Sequence, residues 1–309
     1  MDPKYAQLEK DHAEVTKIKN IQAVFFGNYQ IDAWYFSPYP DEYCNQKNIY
    51  ICHNCLKYMK SPGTFVKHQK ECPTMHPPGK KIYEKDSAAV YEVDGKDSKL
   101  FCQNLCLLSK LFLDHKMVYF DIEPFYFYIL CERQNDGRYC LAGYFSKEKN
   151  CILDYNLSCI MVLPPYQRKG YGRFLLEFSY ELSKKEKLPG TPEKPLSDLG
   201  LRTYRNFWAS EILRLLKLNG PATTVSDLVE FTGFRQEDII STLTALNLLH
   251  YWKGDHLIQF TPKMLDDLIK VYPSKPKMVD SNLLQWTPVK LEAPIPERKR
   301  RKPSASYKE

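Results

Sequence analysis

Cys52, Cys55, His68 and Cys72 follow the pattern C-x2-C-x12-H-x3-C. Zinc takes four soft or borderline donors in a tetrahedron, and this spacing supplies them. A tight turn presents the first pair. A helix over about 64–69 presents His68 and then Cys72, because residues four apart share a helix face. Four protein donors leave no open position, so the predicted Zn2+ is structural. His53, His76 and Cys44 lie close by in sequence as spare ligands. Residues 56–63 carry apolar and aromatic side chains suited to packing. The unit therefore reads as a scaffold, or a clamp on a partner, before a base reader.

A second constellation is Gln167-Arg168-Lys169-Gly170-Tyr171-Gly172-Arg173, between an apolar run and a helical stretch. A turn at a helix N-terminus aims backbone N–H groups and the positive dipole end at an anion such as a pyrophosphate. Gly170 and Gly172 let the backbone come close. Arg168, Lys169 and Arg173 add charge. The competing reading is an ordinary strand–helix loop.

Several elements must position these residues. Residues 21–36 alternate and read as strands. Residues 90–93 and 99–101 suggest a hairpin around Asp94-Gly95. Phe101, Leu105, Leu108 and Phe112 recur at helical spacing, which predicts a helix over 102–115. Strands are expected at 117–122 and 125–131, then a turn at Asn135-Asp136-Gly137 and a return strand over 139–145. The unbroken apolar run 156–163 predicts one buried strand, ended by Pro164-Pro165. A helix over 174–185 and a proline-rich loop over 188–195 follow. Beyond residue 200 the pattern gives helices at 201–219, 226–231 and 237–249, then a hairpin over 250–260 around Gly254-Asp255. Helix, turn, helix, hairpin is the order of a winged helix-turn-helix; many such units only pack against a neighbour.

The 309 residues include 22 Tyr and 16 Phe, enough aromatic surface to exclude global disorder. Lys and Arg total 44 against 37 Asp and Glu. The excess fits an anionic cofactor or a weak nucleic-acid contact. No apolar run approaches the roughly 20 residues that span a bilayer, and residues 1–20 lack a secretory apolar stretch. The ten cysteines then read as reduced thiols or metal ligands, with a nuclear or cytosolic address. Arg298 to Lys302 are five consecutive basic residues, a nuclear localisation signal, a nucleic-acid arm or a solvated end.

Over about residues 20–290 the chain resembles the MYST family of histone lysine acetyltransferases. The carrying segments are Trp34-Tyr35-Phe36-Ser37-Pro38, the Cys/His unit, residues 104–116 (NLCLLSKLFLDHK), residues 143–149 (GYFSKEK), the glycine loop and residues 192–200 (PEKPLSDLG). The resemblance implies an α+β fold with an N-acetyltransferase-like central core and mixed sheet. An N-terminal zinc finger (49–76, within 20–80) and a C-terminal winged helix-turn-helix-like region (201–290) flank a catalytic core over 81–200. Residues 1–19 are then a polar extension and 291–309 a basic disordered tail. It implies acetyl transfer from acetyl-CoA to lysines of core-histone tails, histone and nucleosome partners, subunits of a chromatin-modifying complex and a nuclear address. Ile160, Met161, Val162, Gln167 to Arg173 and Ser197 are implied cofactor contacts. A contact at Asn206 is in doubt, since the family often has serine there. Glu193 is the implied general base in a partly buried site, and Cys159 takes the place of the family's active-site cysteine. Cys159 either accepts acetyl or only lines the pocket, and direct attack is the favoured route. Lys116 matches the lysine that members acetylate on themselves; without that match it reads as an exposed lysine at a helix end. The rival function is a catalytically weak chromatin-binding scaffold.

Overall fold

Phe127, Tyr128, Ile129 and Leu130 are four consecutive residues at essentially zero exposure, so the strand that holds them is covered on both faces. Each such side chain contributes about 1.5–3 kcal/mol by leaving water. That strand is the centre of a computed structural model that describes residues 19–288, except 45, 46, 115, 117, 253 and 254, and only the backbone of 44, 252 and 255. The expected turn residue Gly254, the Cys44 side chain, the 1–18 extension and the basic tail with Arg298 to Lys302 lie outside the described residues.

In chain order the elements begin with β1 (Ala23–Phe26), β2 (Tyr29–Asp32), α1 (Asp41–Cys44), β3 (Asn48–Ile51), β4 (Tyr58–Met59) and α2 (Pro62–Glu71). Next come β5 (Lys80–Lys85), β6 (Ala88–Asp94), α3 (Lys99–Lys110), β7 (Phe125–Arg133), β8 (Tyr139–Glu148), β9 (Tyr155–Leu157) and β10 (Ile160–Val162). A 3-10 turn (Pro164–Tyr166) leads to α4 (Tyr171–Glu186), β11 (Thr191–Pro192) and α5 (Asp198–Asn219). The C-terminal part holds α6 (Val225–Thr232), α7 (Gln236–Ala245), β12 (Leu249–Trp252), β13 (Asp255–Ile258) and α8 (Pro262–Val271). Among the described residues, no helix is long and apolar enough to cross a membrane.

The chain is α+β, as expected, but the central sheet is not mixed. It runs β10-β8-β7-β6-β5 and every pairing is antiparallel. Parallel pairing occurs elsewhere, between β1 and β3 and between β9 and β11. One face of the sheet meets α4, where Tyr83 and Phe145 pack on Phe174 and Phe178. Residues 174–183 of α4 are all buried, as a helix enclosed on every side must be. Ser179 and Ser183 satisfy their hydroxyls on backbone carbonyls of their own helix.

Three expected elements are replaced. Residues 99–101 begin α3 instead of a strand, and β6 forms its hairpin with β5. Residues 118–122 form no strand. Gln103 donates to Phe120 O (3.0 Å), and Lys99 pairs with Glu123 (2.8 Å), so this segment is laced to α3. The apolar run 156–163 breaks into β9 and β10, because the two halves choose different partners.

Candidate active site and metal centre

The finger is built by short-range rules. Ser61 caps α2 by accepting from Thr64 N (3.2 Å), and Pro62 opens the helix. The turn after Cys52 closes through Leu56 N to Cys52 O (2.9 Å). His68 rides on α2 and Cys72 lies just past its end. The donor atoms of Cys52, Cys55, His68 and Cys72 all fall within 4.8 Å of one another. Cys52 Sγ and Cys72 Sγ are 3.8 Å apart. That is the edge expected of a tetrahedron with metal–sulfur bonds of about 2.3 Å. Cys55 Sγ and His68 Nε2 are 3.2 Å apart. The hydrogen bond between Cys55 and Cys52 pulls the Cys52 thiol well below its ordinary value and pushes Cys55 up. The donor set thus fits zinc. His53 and His76 are not in it; His53 packs on Phe26 and His76 stacks on Tyr91. Arg138 donates to Cys72 O (3.2 Å), which bolts the finger to the β7–β8 turn.

The glycine loop opens α4. Gly170 is the N-cap in the left-handed region (φ 89°), and no side chain caps the helix. The N-cap thus gives the first amides of α4 no side-chain acceptor, which leaves a helix start of the kind that suits an anion. A Cβ at Gly170 would come within 3.0 Å of the Met278 methyl, whereas one at Gly172 would meet nothing within 4 Å. Gln167 Nε2 donates to Val162 O (3.0 Å), tying the loop to β10. The expected cations divide. Arg168 and Lys169 are exposed, with Lys169 near Glu132 (3.2 Å). Arg173 turns inward instead, onto Glu177 (2.7 Å) and Glu211 (2.9 Å), and stacks over Phe207. Its charge is spent inside the protein. Beside it a cleft of about 320 Å³ is lined by Arg173, Arg202, Asn206, Ser210, Tyr272 and Lys275. Ser197 caps α5 by accepting from Gly200 N (3.1 Å).

β9 and β10 part at Cys159. Ser146 N donates to Cys159 O (2.8 Å), Ser158 N donates to Ser146 O (2.7 Å), and Cys159 N donates to the Ser146 hydroxyl (3.2 Å). β10 continues along β8 with Met161 opposite Tyr144, and Leu163 N bonds Ala142 O (3.0 Å). The alternation of an antiparallel ladder then turns the Ile160 and Val162 amides to the open edge, while the Met161 side chain is buried in the core. β9 leaves to run parallel with β11, and Glu193 N donates to Leu157 O (2.8 Å). This fixes Glu193 beside the split. Its side chain is exposed, not partly buried as expected, because 193–195 leaves the ladder on the solvent side. Cys159 is half-buried, not deep in a continuous strand. Lys116 is the reverse of an exposed lysine: it is 5% exposed and donates to Cys159 Sγ (3.7 Å). Burial works to lower its pKa; Tyr144, Cys159 and Cys106 oppose this and hold the net direction upward.

Comparison with known proteins decides the family. The MOZ/SAS family profile matches residues 76–284, and the MYST family zinc finger domain matches 18–72. The chain belongs to the MOZ/SAS family of MYST proteins. It is 49% identical over 287 residues to histone acetyltransferase MOF of Drosophila melanogaster, covering 92% of this chain and 35% of that protein. It is 48% identical over 281 residues to putative MYST-like histone acetyltransferase 1 of Oryza sativa subsp. japonica, covering 91% and 62%. Histone acetyltransferase of the MYST family 1 of Arabidopsis thaliana gives 48% over 281 residues, 91% and 63%. The chain thus spans about one third to three fifths of these curated relatives.

Within this MYST chain the four predicted zinc donors come together, Lys116 reaches Cys159, and the Glu193 segment pairs with β9 just before it. Sequence reasoning missed Arg202, Tyr272 and Lys275, which line the cleft beside Arg173. It also missed Ser146 and Cys106, which flank Cys159 and Lys116. Ser146 and Cys106 lie within the segments that carry the resemblance, but nothing local gives any of the five a place at the site; only the fold assembles them.

Proposed function

We propose that this chain is a protein-lysine acetyltransferase, transferring acetyl from acetyl-CoA to ε-amines of core-histone tails on chromatin. The observation that carries the proposal is the split at Cys159: Glu193, the Ile160 and Val162 amides and the uncapped start of α4 all border it. A lysine with pKa of about 10.4 is neutral in only roughly one molecule in a few thousand at pH 7. Glu193, exposed and anchored by its backbone, takes the proton from an arriving ammonium directly or through water. The neutral amine then attacks the acetyl carbonyl. The amides on the β10 edge stabilise the oxyanion, and coenzyme A leaves as the thiol. The first turn of α4 and Arg168 receive the pyrophosphate, with the Arg202–Lys275 cleft as a basic extension for the rest of the nucleotide. We read Cys159 as lining the acetyl pocket. Lys116 is buried without a carboxylate partner among the described residues, so acetylation of its ammonium would relieve a buried charge. We propose it as a self-modification site. Cys52, Cys55, His68 and Cys72 would hold zinc closed and structural.

We further read 20–290 as one catalytic unit, with α6, α7 and the β12–β13 hairpin as a winged helix-turn-helix form. Nuclear residence, nucleosome contact and partner subunits belong to the same proposal. The test is acetylation of a histone-tail peptide by the wild type and by Glu193→Gln. Wild-type transfer with near-background transfer by the variant supports the enzyme. Equal rates at background favour the scaffold.

A further inference from the structure

Glu177, on the second turn of α4, is 7% exposed. One of its carboxylate oxygens accepts from Arg173 Nε (2.7 Å), one turn back towards the glycine loop. The other accepts from two successive backbone amides of the stretch after α8, Met278 N (2.8 Å) and Val279 N (3.2 Å). A buried carboxylate is costly unless its lone pairs are met, and here three donors meet them. Arg173 has further holds, on Glu211 (2.9 Å) and Ser210 (3.4 Å), so its place does not depend on Glu177 alone. What the two amides fix is Met278. Its thioether lies over Gly170, where an added Cβ would meet the methyl at 3.0 Å and the sulfur at 3.1 Å. Among the described residues, no other atom outside the loop and its helix comes within 4 Å of that position. Gly170 makes the turn at φ 89°, and no side chain caps α4 there. Glycine takes either sign of φ with similar ease, so the local chain alone gives this turn little hold.

We propose that Glu177 is a positioning residue for the cofactor loop: by binding the 278 and 279 amides it seats Met278 on Gly170, and that contact holds the turn in the left-handed form from which α4 starts. This rests on the reading of that turn as the pyrophosphate site of acetyl-CoA. The consequence falls on affinity. A loop already in its binding form takes ligand more tightly than one that samples several forms, because the apparent Kd is the intrinsic one divided by the competent fraction. With the cofactor in place the complex is the same either way, so turnover does not depend on the seat. A residue far along the chain from the glycine motif, with no contact to the ligand, then sets part of the affinity for it.

The experiment uses the zinc-loaded full chain and compares wild type with Glu177→Gln, Met278→Ala, Met278→Leu and Tyr83→Phe. Three readouts are taken: Kd for coenzyme A by calorimetry, kcat and KM for acetyl-CoA with a histone-tail peptide, and nitrogen-15 order parameters of 169–172 without ligand. Glu177→Gln and Met278→Ala should each raise Kd and KM about tenfold, with kcat unmoved and the order parameters lowered. Met278→Ala leaves Arg173 and its partners alone, so it isolates the seat and keeps the test readable if Glu177→Gln does not fold. Met278→Leu keeps an apolar cover and should stay close to wild type. Tyr83→Phe removes the bond from Asp280 N to the Tyr83 hydroxyl (3.1 Å), two residues beyond Met278, and should leave the affinity in place. The proposal is overturned by an unchanged Kd in Met278→Ala, by a fall in kcat without a rise in KM in Glu177→Gln, or by an equal loss of affinity in Tyr83→Phe. If the wild type binds no coenzyme A, the cofactor reading fails, while the order parameters still decide whether Glu177 and Met278 hold the turn.

Discussion

The finger and the split at Cys159 are opposite kinds of site. In the finger, four donors from a span of 21 residues close on a point and leave no position for a ligand. At the split, Lys116 reaches Cys159 Sγ and Glu193 is held by its backbone at Leu157, with backbone amides facing outward along an unpaired strand edge. A closed site holds the chain together; an open one leaves polar groups unmatched until something arrives. The two should therefore respond to substitution in opposite ways, the first through stability and the second through turnover.

The largest effect tests the closed side. Removing zinc with a strong chelator, or changing Cys52 to Ser, should abolish cooperative folding of the 48–72 unit, since finger peptides draw roughly 10 kcal/mol from the metal. Elemental analysis should give one zinc per folded chain. Release should be promoted by acid, because thiolates and imidazole must shed protons to bind. A variant that keeps its melting profile without zinc breaks the contrast. Next, Glu193→Gln should lower kcat by about 10²–10⁴-fold while stability moves by less than about 0.5 kcal/mol, as calorimetry would register. A parallel loss of stability would place Glu193 with the finger instead.

Two glycines sharpen the comparison further. Gly170→Ala should cost about 1–2 kcal/mol, because the φ of 89° penalises an L side chain, and the new methyl presses on Met278. Denaturant unfolding should read this loss. Gly172→Ala, in a helical first turn with open space around it, should gain about 0.5–1 kcal/mol yet raise KM for acetyl-CoA. An unchanged KM would mean that no ligand approaches this backbone.

The same contrast explains what could be read in the sequence. The finger was legible because its chemistry is spaced along one stretch and its helix carries a local cap at Ser61. The glycine loop was legible as a strand–turn–helix junction. The break at Ser158-Cys159 was not, because an apolar run does not reveal that β9 and β10 take different partners. Nor could residue types reveal that Arg173 faces Glu177 and Glu211, or that Lys116 is enclosed, since both depend on elements far away in the chain. The strand expected over 117–122 is absent from the described residues 118–122 for a related reason: the Phe120 carbonyl there accepts from the Gln103 side chain and not from a ladder. Family resemblance, not periodicity, singled out Glu193 among the loop glutamates.

The stretch after α8 lies across both the loop and the sheet. Met278 N and Val279 N donate to Glu177, Met278 rests on Gly170, Gln285 N bonds Ile82 O at the bulge in β5, and the Trp286 indole reaches Glu92. β5 is the outermost strand on that side, so this stretch acts as a hem stitched over a raw border. A premature stop before residue 278 would unpick it, baring a strand margin that other chains can join. Such truncated products should clump, whereas those ending after 288 should remain dispersed.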